Sequence, residues 1–298
     1  MQLNLGLIVT GSVSNFRKAI KRVVGYRKLH ADNWLEMTAG KTGWFRSGWF
    51  IVFAVTAPIF GASALDLYPM LTDTLLAGDY QAASLICDRI EQDSPGHPAG
   101  IYGRACVIYA HVVDFEDTTG RERFFRLCDS CIAVSKRMEE TKEADGAALS
   151  YLRGSALSAK ALMLHREGSA LRGLRLLMKA RGEFQDAIDA NPEFYDAYLG
   201  RGAYRHGTAT NAALLSWLPW VPSAQSGWKD MWLAVDSSKF SKYSALSALV
   251  WFVIQKEDYA FADSICEAGL ARFPESRNFL WPRLSLRVKQ RQWRLAED

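Results

Sequence analysis

Three times along this chain an alanine is followed four residues later by Phe or Cys, and eight residues after that by proline. The three copies are Ala83–Cys87–Pro95, Ala180–Phe184–Pro192 and Ala262–Cys266–Pro274. Two of them open on an acidic–aromatic pair, Asp79-Tyr80 and Asp258-Tyr259. A fourth copy begins at Gln292-Trp293: Tyr259 to Trp293 and Ala262 to Ala296 both span 34 residues. A spacing that recurs with its proline in place predicts a row of similar helical units. The stretch from residue 65 onward carries no convincing apolar/polar alternation, so strands are not indicated.

Each residue type in the pattern has a physical reason. Alanine lets two helices approach closely. The larger side chain four residues on, one helical turn away, fills the gap against the next unit. Proline stops the helix, because it lacks an N–H and clashes with the preceding turn. A single helix pair cannot bury its apolar face, whereas stacked pairs can, and stacking produces a solenoid with a concave side. Partner helices are less regular. Ile101, Ala105 and Ile108 form an apolar stripe in a unit starting at Pro98, and Leu246, Val250 and Val253 form one in a unit starting at Tyr243. Pro95 and Pro192 lie 97 residues apart, which is not a multiple of 34. Helices near 120–140 and 145–166 must therefore be lengthened or joined by longer loops. The expected fold is all-α: an irregular solenoid of stacked antiparallel helix hairpins.

The 34-residue unit with this Ala–aromatic–Pro half resembles the tetratricopeptide repeat. The segments PEFYDAYLGRGAYRHG (192–207), WLPW (217–220), ALSALVW (245–251) and RFPESRNFLWP (272–282) are similar to exported bacterial proteins of that type. The resemblance implies fold and export and carries no settled biochemical activity. Arg201 departs from it, standing where an apolar residue is expected.

Export has its own signal. Residues 49–64 read WFIVFAVTAPIFGASA, a 16-residue apolar run preceded by Lys41 and Arg46 and ending in Ala62-Ser63-Ala64, the small-x-small pattern of a signal-peptidase site. The run is shorter than the roughly 20 residues that span a bilayer comfortably. A start at Met37 gives a signal peptide of normal proportions with cleavage after Ala64. The alternative is an uncleaved anchor with a basic tail inside. Two regions result: 1–64, an extension plus signal peptide, and 65–298, the repeat body. The first is +6, with eight Lys/Arg against two acids, so the basic excess behind the formal +4 of the chain belongs to it. The body has 28 basic and 30 acidic residues, which gives no electrostatic reason to expect nucleic-acid binding.

Motifs for catalysis are lacking. The body contains no P-loop, serine nucleophile elbow or H-E-x-x-H. His97, His111, His165 and His206 share no metal-ligand spacing. Cys128-Asp129-Ser130-Cys131 is a C-x-x-C that could be a redox pair or half a metal site, but it falls inside a predicted helix with no companion ligands. Structural cysteines are the expectation. Cys87 and Cys266 occupy the same packing position, and a Cys87–Cys106 bridge is the alternative to core thiols there. No cofactor and no metal is expected.

Binding is the expected function. First helices of such units line the concave face, which nominates Tyr198, Arg201 and Arg205, spaced i, i+3 and i+7 on one helical face, with Trp251 and Trp281. Arg and aromatics are the usual interface anchors. The segment 211–232, NAALLSWLPWVPSAQSGWKDMW, interrupts a repeat and holds Trp217, Trp220 and Trp228. It is expected to pack on its own solenoid, or else to close over the groove or touch a membrane peripherally. The leading expectation is an adaptor holding a protein or peptide partner in its groove. The other is a solute-binding or enzyme-accessory component with the insert closing over a small ligand. At the far end, Leu280, Leu284 and Val288 are expected to lack a cover, through truncation at Asp298 or end-capping by another chain.

Overall fold

The computed structural model describes residues 64–211 and 224–290. The apolar run up to Ser63, Trp217, Trp220, Trp293 and Ala296 lie outside the described residues. Within them the chain is helical and contains no strand. The helices are α1 (Tyr68–Ala77), α2 (Tyr80–Asp93), α3 (Pro98–Phe115), α4 (Arg121–Glu140), α5 (Gly146–Arg166), α6 (Ala170–Ala190), α7 (Asp196–Asn211), α8 (Ala224–Ser237), α9 (Lys242–Gln255), α10 (Tyr259–Arg272) and α11 (Arg277–Lys289). Each packs on the next. Every odd-numbered helix also packs on the following odd-numbered one, from α1 to α11. The result is an all-α solenoid of stacked hairpins, with the odd-numbered helices forming a continuous row.

Local sequence sets the joints. Asp79 and Asp258 cap α2 and α10, their side chains accepting the backbone N–H of Ala82 at 2.9 Å and of Phe261 at 3.3 Å. The residue before each cap turns left-handed: Gly78 has φ 78° and Glu257 φ 60°. Helices α2, α6 and α10 stop at Asp93, Ala190 and Arg272, two residues short of Pro95, Pro192 and Pro274, as the restriction on the residue before proline requires. The irregular spacing is absorbed by length, with α4 at 20 residues and α5 and α6 at 21 each.

The repeated positions are the packing positions. Ala83, Cys87, Ala180, Phe184, Ala187, Ala262 and Cys266 are all buried. The Phe184 ring lies between α5 and α7, where glycines receive it. A Cβ at Gly154 would sit 3.0 Å from the ring, and one at Gly200 would overlap it. Backbone contact between α7 and α8 follows the same logic, since a Cβ at Gly202 would come within 2.8 Å of the Gly227 carbonyl oxygen.

The solenoid turns until its two ends meet. Tyr68 of α1 stacks edge-on against Phe240 at 5.3 Å, and Phe240 also meets Tyr151 of α5 at 5.5 Å. The Thr72 hydroxyl donates to the Phe240 carbonyl at 3.1 Å. Arg272 of α10 pairs with Asp73 at 2.8 Å, and Arg277 of α11 lies 3.6 Å from Asp114 and stacks over Phe115. The first and last hairpins therefore face each other across the concave side.

Candidate ligand cavity

That closure converts the concave face into a bounded cavity of about 890 Å³. All six odd-numbered helices contribute to it, together with one side of α6. Its wall is mainly apolar, with Leu71, Leu75, Leu162, Leu174, Leu177, Leu199, Phe184 and Phe252 among the rings of Tyr68, Tyr102, Tyr109, Tyr151 and Tyr204. A concave, mostly apolar site of this volume with a few placed polar groups has the character of a small-ligand pocket. Serines of α9, Ser244 and Ser247, supply hydroxyls on one side, and Ser155 and Ser158 of α5 on another.

The charged groups of the wall differ in how they are committed. Asp196 is buried and accepts three backbone N–H groups, from Lys239, Phe240 and Ser241 at 2.8–3.1 Å. It ties the turn before α9 to α7. Asp114 accepts from the Tyr80 hydroxyl and faces Arg277. Arg181 pairs with no carboxylate among the described residues; its guanidinium lies 5.8 Å from the centre of the Tyr204 ring. Burial pushes the Tyr68, Tyr102 and Tyr151 hydroxyls well above the ordinary phenol range, so they remain neutral hydrogen-bonding groups.

The residues nominated from sequence lie elsewhere. Tyr198, Arg201 and Arg205 do share one face of α7, but that face meets α8. Arg201 is 9% exposed and grips Asp230 with two hydrogen bonds at 2.8 and 2.9 Å, while Arg205 reaches the same carboxylate at 2.9 Å. Tyr198 stacks under the Arg201 guanidinium at 4.6 Å. An apolar residue was expected at 201; a bidentate buried ion pair takes its place. Trp251 and Trp281 point outward, 42% and 53% exposed. Phe252, the residue after Trp251, and Asn278, three residues before Trp281, line the cavity instead. Trp228 belongs to α8, as does all of the Trp-rich segment from Ala224 on, and packs on its own solenoid beside His206, Trp232 and the Lys256 ammonium.

The face of α7 that lines the cavity is Asp196, Leu199, Gly200, Ala203, Tyr204, Gly207 and Thr208. It was legible as an i, i+3, i+4, i+7, i+8 stripe. The arginines lie on the opposite side of the same helix.

The five cysteines are free, and the Cys87–Cys106 bridge is not formed. Cys106 lines the cavity. Cys128 and Cys131 are fully buried on α4. Burial pushes the Cys131 thiol up to about 12 and Cys128 higher, the reverse of what a reactive thiolate needs. No group of His, Cys, Asp and Glu able to hold a metal ion occurs among the described residues. No helix among them is long and apolar enough to cross a membrane. Comparison with protein-family models, with curated proteins and with solved structures finds no match.

Proposed function

We propose that this protein is an exported, tetratricopeptide-type binding protein, not an enzyme, whose body from Leu65 onward holds its ligand in the cavity enclosed by the inner helices. The carrying observation is the bounded apolar cavity of about 890 Å³, formed where α1 and α3 face α9 and α11. A space of that size and lining suits a small apolar solute or the end of a peptide segment. It suits less well a partner lying along an open trough. The tetratricopeptide assignment is supported by the placement of the Ala–Phe/Cys–Pro half-units at equivalent hairpin positions. Export is supported by the 49–64 run alone.

A protein partner remains the second reading, favoured by one observation. Trp251 on α9 and Leu280, Trp281 and Val288 on α11 expose large apolar side chains near the end of the described chain. An adaptor surface or a capping chain would cover them.

Native mass spectrometry of the protein isolated from envelope extract tests the main reading. Ala203→Trp together with Ala248→Trp fills the cavity from α7 and α9, whose positions both line it. The intact protein should carry a small ligand that the filled variant lacks. A ligand-free intact protein, or identical occupancy in the filled variant, would remove the cavity from the function.

A further inference from the structure

The first half of α6 has a surface that the solenoid core does not explain and that the cavity takes up only at Leu174 and Arg181. From Gly168 to Gly182 the chain has four cations, Arg172, Arg175, Lys179 and Arg181, and no acid. Among them Leu171, Leu174 and Met178 project into solvent, 76%, 48% and 58% exposed. At 100° per residue these three form one stripe, with Arg175, Arg172 and Lys179 along one side and Arg181 along the other. The opposite side of the helix is the buried one, where Gly173, Ala180 and Phe184 meet the neighbouring helices.

The cations are only lightly tied to the fold. Arg175, Lys179 and Arg181 form no ion pair among the described residues, Arg181 packing over the Tyr204 ring, and Arg172 donates to the Ser169 hydroxyl and lies within electrostatic reach of the Glu167 carboxylate. Arg172 stands in the first turn, which contains no acid, at the end of the helix where the dipole disfavours positive charge. A shallow depression beside the stripe, between α4, α5 and α6, repeats the composition. Lys160, which pairs with Asp129, lines it with Arg172, Arg175 and Lys179 and with Phe125, Leu164, Leu176 and Met178.

We infer that this face of α6 docks on the surface of an anionic phospholipid bilayer. Leu171, Leu174 and Met178 enter the boundary between headgroups and acyl chains, and the flanking cations meet the headgroup phosphates. An apolar stripe bordered by Lys and Arg on both sides is the arrangement an interfacial helix uses. The charge selects an anionic rather than a neutral surface. Leu174 and Arg181 belong both to this patch and to the cavity wall, so docking brings that edge of the cavity to the lipid. The docking does not depend on what the cavity holds.

The test must read the helix itself, because residues 1–64 carry their own cations and apolar run. Hydroxyl-radical footprinting of the full chain does so, with Met178 as reporter and exposed Trp281 as reference. Vesicles of phosphatidylcholine with phosphatidylglycerol should lower Met178 oxidation several-fold and leave Trp281 unchanged. Phosphatidylcholine vesicles alone should protect neither. The variant R172Q/R175Q/K179Q alters exposed side chains only, should melt like the parent, and should lose on the order of 100-fold in partitioning through this face, with Met178 oxidised as in free protein. Met178 oxidation that is unchanged on anionic vesicles, equally protected on neutral ones, or still protected in the charge variant overturns the inference. Protection by a polyglutamate peptide without protection by anionic vesicles assigns the face to an acidic protein segment and overturns it as well.

Discussion

Replacing Asp230 by alanine removes the carboxylate that joins α7 to α8 through Arg201 and Arg205. Both residues of the main pair are nearly closed to water, with side chains 11% and 10% exposed. Truncating one partner of such a pair leaves a buried charge without its counter-ion, at a cost of about 3–5 kcal/mol. Arg201 keeps the Gln185 amide oxygen at 3.2 Å and the Tyr198 ring, which places the expected loss at the lower end, about 3 kcal/mol. For a body of this size that lowers Tm by roughly 6–12 °C, read by far-ultraviolet circular dichroism. Arg201→Met combined with Asp230→Leu exchanges the pair for packed apolar side chains and should return to within about 1 kcal/mol of the parent. Arg201 thus serves the α7–α8 joint. An Asp230→Ala protein that melts within about 2 °C of the parent refutes it.

Two further perturbations address the packing and the thiols. Phe184→Ala should cost about 3–5 kcal/mol in urea unfolding, and Gly200→Leu about 1–3 kcal/mol by overpacking the same ring. Because the added leucine fills the space the ring leaves, the double variant should lose clearly less than the sum, and strict additivity would place the two groups apart. Burial pushes the thiols of Cys106, Cys131 and Cys266 up to about 12 from an ordinary 9.0, so the unfolded chain gives up these protons first. Their stabilising contribution is complete below pH 9 and is lost as pH rises toward 12. Unfolding midpoints should be level up to pH 9 and fall above it, with the native thiols resisting alkylation at neutral pH. Rapid native alkylation would contradict the burial.

Much of the solenoid was legible because its determinants are local. Proline two residues past a helix, aspartate at a cap and alanine at a close approach act through the backbone within a turn or two, so they recur wherever the unit recurs. The long helices between Pro95 and Pro192 followed from arithmetic on the same spacing. The site was less legible. Arg201 and Arg205 looked like groove anchors because arginine on a helix face suggests solvent, and nothing near them in the chain reveals that Asp230, on the next helix, neutralises both. The stripe from Asp196 to Thr208 carried the periodicity of a lining face, yet its small and apolar residues resemble those of any packing face. The outward turn of Trp251 and Trp281, one and three residues from positions that do line the cavity, is a matter of helix rotation fixed by tertiary packing.

By itself the amino-acid order determined that the body is helical, where several of its helices stop, and that units stack, since each of these depends on residues close together in the chain. The tertiary structure decided the curvature that brings Tyr68 to Phe240 and Arg272 to Asp73. It thereby decided that the concave side is a bounded cavity and which face of each helix borders it. The physical reason is that curvature sums small rotations over five successive hairpins, each set by side-chain volumes such as Phe184 against Gly200. No short stretch of sequence contains that sum.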